Sequence, residues 1–200
     1  ENVGELYAEI LGVENWINGG AIEGEINLDA EHINVESIMS WWEHRTVTED
    51  SIGSTAFLPS GSNLTLKIES ENLTWDALEC ESFLTRANLT ASKLKIINST
   101  TKTLEGLVRV EGSFRPSVEG WALNLSGSAD GISLPKLFNC YDNFGQNTLR
   151  AQHMGGSLSI AGTSKMGWGK DGVWSSESLN ANLNVGVSHG SLENFEIFDD

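Results

Sequence analysis

The sequence predicts a mainly β fold, an elongated antiparallel sheet with two short amphipathic helices. Three observations indicate this fold. Apolar and polar residues alternate over much of the chain, which is the period of a strand with one dry face and one wet face. Gly, Asn and Ser separate these runs, as the turns of an antiparallel meander require. Helical spacing occurs in only two short places.

The first strand signal runs from residue 22 to residue 30. Ile22, Ile26 and Leu28 occupy even positions there, and Glu23 and Glu25 occupy odd ones. Each such run predicts a half-buried strand. The same alternation recurs further along the chain in Leu64, Leu66 and Ile68; Phe83, Ala87, Leu89 and Ala91; Leu94 and Ile96; Val108, Val110 and Phe114; Trp121, Leu123 and Leu125; Leu158 and Ile160; and Leu179, Ala181, Leu183, Val185 and Val187.

Each of the two helices follows directly after a strand. The first comes after Asn34 and the second after Ser133, and both residue types are favourable N-caps. Apolar residues then recur at i, i+3, i+4 and i+7, which predicts one dry stripe per helix. These stripes include Ile38 and Met39 in the first helix and Leu137 and Phe138 in the second.

The two strand-and-helix segments match each other at a constant offset. Ile26 corresponds to Leu125 and Asn34 to Ser133, 99 residues later in each case. Agreement in both the cap and the apolar stripe indicates a diverged internal repeat, with units at approximately 20–60 and 119–160. We therefore interpret residues 1–200 as one β-rich fragment of an elongated architecture, cut at both ends.

Charge and composition exclude several classes of function. The chain has 28 acidic and 12 basic residues, a formal net charge of -16, and such a field repels nucleic acid and anionic membrane surfaces. No stretch is apolar enough to predict a transmembrane helix or a signal peptide. Cys80 and Cys140 fit two buried thiols, or a single bridge if the compartment is oxidising.

No catalytic, metal or cofactor site is predicted. The four histidines do not have metal-ligand spacing, and no phosphate loop, dinucleotide fingerprint or nucleophile elbow is present. Five glycosylation sequons are only slightly more than chance would give. Trp41 and Trp42 are adjacent and could form a platform for sugars, which leaves an extracellular β-sandwich that binds glycans or mediates adhesion as the alternative function.

The long apolar face of the sheet is the remaining candidate site. It becomes an ordinary sandwich core if a second sheet covers it, or an apolar groove for acyl chains if the repeats extend one curved sheet. The pattern alone favours the core. In the groove hypothesis, the residues that line the groove are Leu89, Leu94, Ile96, Val108, Val110, Leu123, Leu125, Leu183, Val185 and Val187. Its lip would be the two helices, closing an exposed edge.

Several motifs resemble the C-terminal region of the AsmA family of Gram-negative envelope proteins. They are LSGSADGISLPKLF at 125–138, NFGQ at 143–146, GSLSIAG at 156–162 and LNANLNVGVSHGSLENFE at 179–196. The last ends in the triplet Asn194, Phe195 and Glu196, which is similar to the family's closing signature. The strand-rich stretch 58–114 is similar as well, so the resemblance covers about three quarters of the chain.

The resemblance implies a curved β-groove with short helices at its lip and a non-enzymatic role in phospholipid transport and outer-membrane homeostasis. It also implies a periplasmic location, with the parent protein anchored in the inner membrane and touching it through parts missing from this chain. The expected partners are then phospholipid acyl chains. No catalytic residues and no cofactors are carried over.

Overall fold

A computed structural model describes residues 5–43, 57–169 and 173–193. They form one open, curved, nine-stranded sheet whose strands lie in chain order, so the predicted mainly β class is confirmed. Because every described strand belongs to this sheet, the described residues do not form a β-sandwich core. The strands are β1 (Glu5–Leu11), β2 (Glu23–Asn34), β3 (Asn63–Trp75), β4 (Leu78–Thr90), β5 (Leu94–Thr103), β6 (Gly106–Ser117), β7 (Gly120–Ser133), β8 (Met154–Gly169) and β9 (Trp174–Leu192).

One pair of strands departs from the predicted antiparallel meander. β2 and β3 run parallel, with Ile26 opposite Leu66 and Leu28 opposite Ile68, whereas the other neighbouring pairs are antiparallel. Parallel neighbours need a crossover of about a dozen residues or more. Enough residues lie between the end of β2 at Asn34 and the start of β3 at Asn63 for such a crossover. Alternation of side chains carries no information about strand direction, so the sequence prediction was wrong for this pair.

The short helices are α1 (Val13–Ile17), α2 (Val35–Glu43) and α3 (Leu134–Cys140), and short 3-10 turns at Asp142–Gly145 and Ala151–His153 follow α3. Both predicted helices begin directly after a strand, at the predicted caps. The Ser37 amide donates to Oδ1 of Asn34 at 2.8 Å, and the Lys136 amide donates to Oγ of Ser133 at 3.5 Å. These caps satisfy amides that the helix itself leaves unpaired.

Helix α3 lies across the ends of the central strands. It packs against β7 and β8, Nζ of Lys136 is 3.0 Å from Oε1 of Glu105, and Sγ of Cys140 is 3.3 Å from the carbonyl oxygen of Ala77. Its own Leu134 is buried. Residues elsewhere at this end of the sheet are buried as well, namely Cys80, Thr103, Ile132 and Ala151. The densest packing of the central strands is therefore at the α3 end.

Two of the irregularities in the strand pairing lie towards the same end of the sheet. The registers shift between Glu81 and Leu84 in β4, and between Ala129 and Ile132 in β7. Ser82 and Gly131, inside these two intervals, have positive φ values of 52° and 73°. Such bulges bend a strand and increase its twist. They account for a curved sheet rather than a flat one.

We expect the α3 end to dominate the stability of the sheet. Ile132 is 5% exposed, so Ile132→Ala leaves a cavity and should lower the free energy of unfolding by about 3 kcal/mol. Val118, in the β6–β7 turn, is 92% exposed, and Val118→Ala should change it by less than about 0.5 kcal/mol. Urea unfolding followed by circular dichroism measures both, and equal effects would contradict this account of the packing.

Candidate functional site

The strand registers place all ten groove candidates on one face of the sheet, because residues directly opposite each other project to the same side. One row of this face runs through Leu89, Leu94, Phe114 and Leu123. A second row pairs Ile96 with Gly112 and Gly112 with Leu125. We call this surface the apolar face.

The remaining candidates belong to the same face. Val108 is opposite Ala129, which is opposite Ile160, and Ile160 is opposite Val185. The registers also place Val110 opposite Gly127, Gly127 opposite Gly162, and Gly162 opposite Leu183. Val187 is opposite Leu158, which lies two residues before Ile160 in β8 and so projects to the same face. None of the ten candidates or their register partners carries a charge. The face is therefore uncharged at these positions from β4 to β9.

The apolar face also extends over strands that were not assigned to the site. Leu64 is opposite Leu89, and Leu66 is opposite both Ala87 and Ile26. These side chains show the same alternation in the sequence, and this alternation could have identified them as part of the site. Their pairing partners come from distant parts of the chain, and this pairing could not be deduced from the local pattern.

A shallow depression of about 220 Å³ lies in the middle of the apolar face. Val108, Val110, Ile160 and Leu183 line it, and the glycine pair Gly127 and Gly162 forms part of its floor. A Cβ atom on Gly127 would overlap the carbonyl oxygen of Arg109. Glycine is therefore required there for the strands to approach each other, and it leaves space above the sheet.

Aromatic rings close one end of the apolar face. Phe114 stacks on Trp121 with ring centroids 5.2 Å apart, and Trp168 meets Phe114 edge-on at 6.0 Å. Phe57, from the segment before β3, lies 5.2 Å from Trp121, and its amide donates to the carbonyl oxygen of Ala91 at 3.0 Å. Sequence reasoning missed this cluster, because the alternation of Phe114 and Trp121 gave no sign that Phe57 would join them.

Helix α3 closes the opposite end of the apolar face. Leu137 and Phe138 are half-buried, and the Phe138 ring meets Phe144 edge-on at 5.1 Å. Helix α3 contacts β7 and β8, whereas the described sheet has β1 and β9 at its edges. The prediction that the helices close a sheet edge was therefore wrong for α3, which covers strand ends instead.

The other predicted lip residues, Ile38 and Met39, lie in α2. Ile38 in α2 is 55% exposed, so it is not packed into the described part of the sheet. The side chains of Met39, Trp41 and Trp42 lie outside the described residues, as does the triplet Asn194, Phe195 and Glu196.

Strand β9 leaves one side of the apolar face open. Leu183, Val185 and Val187 are 51%, 61% and 57% exposed. At the other edge, Leu6 in β1 is 68% exposed, and it lies on the same face as Leu28, its register partner. An edge strand with exposed apolar side chains is a surface that proteins normally protect or use.

The described residues contain no group of three or more His, Cys, Asp or Glu side chains arranged to hold a metal ion. Within the same residues, no helix has both the length and the hydrophobicity needed to cross a bilayer. No protein-family model, curated protein or solved structure is significantly similar to this chain.

The surroundings of Cys140 alter the titration of its thiol. Burial raises its pKa above the ordinary value of 9.0, and the charges of Asp76, Cys80 and Glu79 raise it further. The neutral thiol is therefore favoured at neutral pH. A thiol held neutral in this way suits packing at the end of the apolar face and reacts slowly.

This predicts a slow reaction of Cys140 with Ellman's reagent at pH 8, measured in a Cys80→Ser background so that one thiol reports. Asp76→Asn removes a negative charge that disfavours the thiolate, so it should lower the pKa of Cys140 and speed the reaction. Glu111→Gln, a charge removal that does not affect this thiol, serves as the control. A rate unchanged by Asp76→Asn would show that its charge does not govern the thiol.

Proposed function

We propose that the apolar face binds the acyl chains of phospholipids, and that the chain is a non-enzymatic, periplasmic, lipid-handling part of an AsmA-like envelope protein. One observation carries the proposal. Ten candidate side chains share one uncharged face, and the described residues provide no second sheet to cover it. A sheet with one hydrophobic face needs a covering layer or a ligand.

Hydrocarbon chains match this surface energetically. Each methylene removed from water contributes about 0.8 kcal/mol and needs no directional contact. Ten buried methylenes would contribute about 8 kcal/mol, against an association cost of about 4 kcal/mol or more. The uncharged lining provides no ion to hold a headgroup, so the chains rather than the headgroup would supply the affinity.

The dimensions of the apolar face also support acyl chains. Phe114, in the aromatic cluster, lies eight positions after Gly106 near α3, which is about 27 Å of extended strand. The hydrocarbon core of a bilayer is about 30 Å thick, so the acyl chains of one leaflet span about 15 Å. The face is therefore long enough for an acyl chain that lies along the strands, whichever end of the face its headgroup is at.

The resemblance to the AsmA family adds the biological setting of the proposal. It supports phospholipid transport and outer-membrane homeostasis as the process, and the periplasm as the location. Contact with the inner membrane would then belong to the anchored parent protein. The motifs at 125–138 and 156–162 contribute Leu125 and Ile160 to the apolar face, so the resembling segments and the proposed lining coincide.

Photocrosslinking should distinguish the two faces of the sheet. Benzophenone side chains at position 110 or 185, replacing Val110 or Val185, should crosslink to phospholipid in cells, because both positions lie on the apolar face. The same group at Arg109 or Asn184, one residue before each of these positions, projects to the opposite face outside the cationic cleft and should not crosslink to phospholipid. Mass spectrometry of the adducts reads the result, and equal yields at all four positions would overturn the assignment.

A charge on the apolar face should reduce lipid binding without unfolding the sheet. Leu183 is 51% exposed, so Leu183→Lys is tolerated by the fold but places an ammonium group beside the depression. We expect the amount of co-purifying phospholipid in native mass spectrometry to fall about tenfold. Asn182→Lys adds the same charge to the opposite face and should leave it unchanged. A wild-type protein free of lipid would argue against the groove.

A further inference from the structure

A second concave surface lies on the polar side of the sheet, opposite the apolar face. It is a cleft of about 660 Å³. Four cationic side chains line it: Lys93 in the β4–β5 turn, Lys95 in β5, Arg115 in β6 and Lys165 in β8. These are four of the 12 Lys and Arg residues of the chain, and they come from three separate segments that the sheet brings together.

The strand registers align part of this cleft as a straight row. Lys95 is opposite Ser113, Ser113 is opposite Asn124, and Asn124 is opposite Lys165. The backbones of Lys95 and Lys165 are therefore three strand spacings apart, about 14 Å. Between them, the hydroxyl of Ser113 and the amide of Asn124 can donate hydrogen bonds to the same ligand.

The charges of the cleft are not balanced within the described protein. Glu111 is the one acidic residue in its lining. Within the described ranges, none of the four cations forms an ion pair, whereas Lys67, Arg109 and Lys136 each pair with a carboxylate. Like charges gathered without partners repel one another. A chain with a net charge of -16 has many carboxylates that could have relieved this repulsion.

We infer that this cleft binds a phosphate group carrying two or more negative charges. Such a group would contact cations from several strands at once and accept hydrogen bonds from Ser113 and Asn124, an arrangement stronger than neutral hydrogen bonding. The inference does not depend on lipid binding by the apolar face, because the cleft lies on the other side of the sheet. The phosphate could belong to a soluble ester or to a lipid headgroup.

Isothermal titration calorimetry with inorganic pyrophosphate at low ionic strength tests the cleft. Lys95→Gln and Lys165→Gln should each weaken binding about tenfold, because each removes a charge-assisted hydrogen bond. Lys67→Gln is the matched control: it removes the same charge from the polar face but outside the cleft, and should weaken binding less than about twofold. The apparent affinity should also fall as salt is added.

Flotation with vesicles identifies the source of the phosphate. The probes are phosphatidylcholine vesicles with and without one third phosphatidic acid. Pyrophosphate binding without vesicle binding supports a soluble phosphate ester, and binding to the acidic vesicles that Lys95→Gln and Lys165→Gln both weaken supports a lipid headgroup. The inference is overturned if neither probe binds, or if Lys67→Gln weakens binding as much as the two cleft substitutions do.

Discussion

The alternation of side chains across nine hydrogen-bonded strands is the constraint on which the other features of this structure depend. Leu94, Phe114 and Leu123 share a face only because β5, β6 and β7 pair in one register. A slip of one residue would move an entire row to the other side of the sheet. Close approaches such as that of Gly127 to the backbone of Arg109 help to fix the register, because a larger residue would not fit there.

A single layer of sheet distributes its stability unevenly. The hydrophobic residues that are buried lie mainly beside helices or in the middle of the sheet, as Ile132 does beside α3 and Ala87 does in β4. The edge strand β9 buries almost nothing, since Leu183 and Val185 keep more than half of their surface in water. The surface with the least internal packing is thus part of the surface proposed to bind acyl chains, as expected of regions that function by gaining a partner.

Local patterns in the sequence predicted local structure and the membership of each face. The caps at Asn34 and Ser133 marked where two strands give way to helices, and the alternation around Val110 assigned that residue to the apolar side. The parallel pairing of β2 with β3 and the position of Phe57 were not predictable in this way. Both depend on which distant segments meet, and periodicity does not encode that choice.

The net charge of the chain likewise does not predict how the charged residues are arranged on the sheet. One polar row crosses the sheet from Glu9 and Glu25 at the β1 end to Lys95 and Lys165 near the other. Glu25 lies three strand spacings from Lys95, about 14 Å, and further still from Lys165. The acidic and basic residues of the row are therefore grouped at different places on the sheet. A charge of -16 describes the field far from the molecule, while a ligand at the cleft meets the lysines.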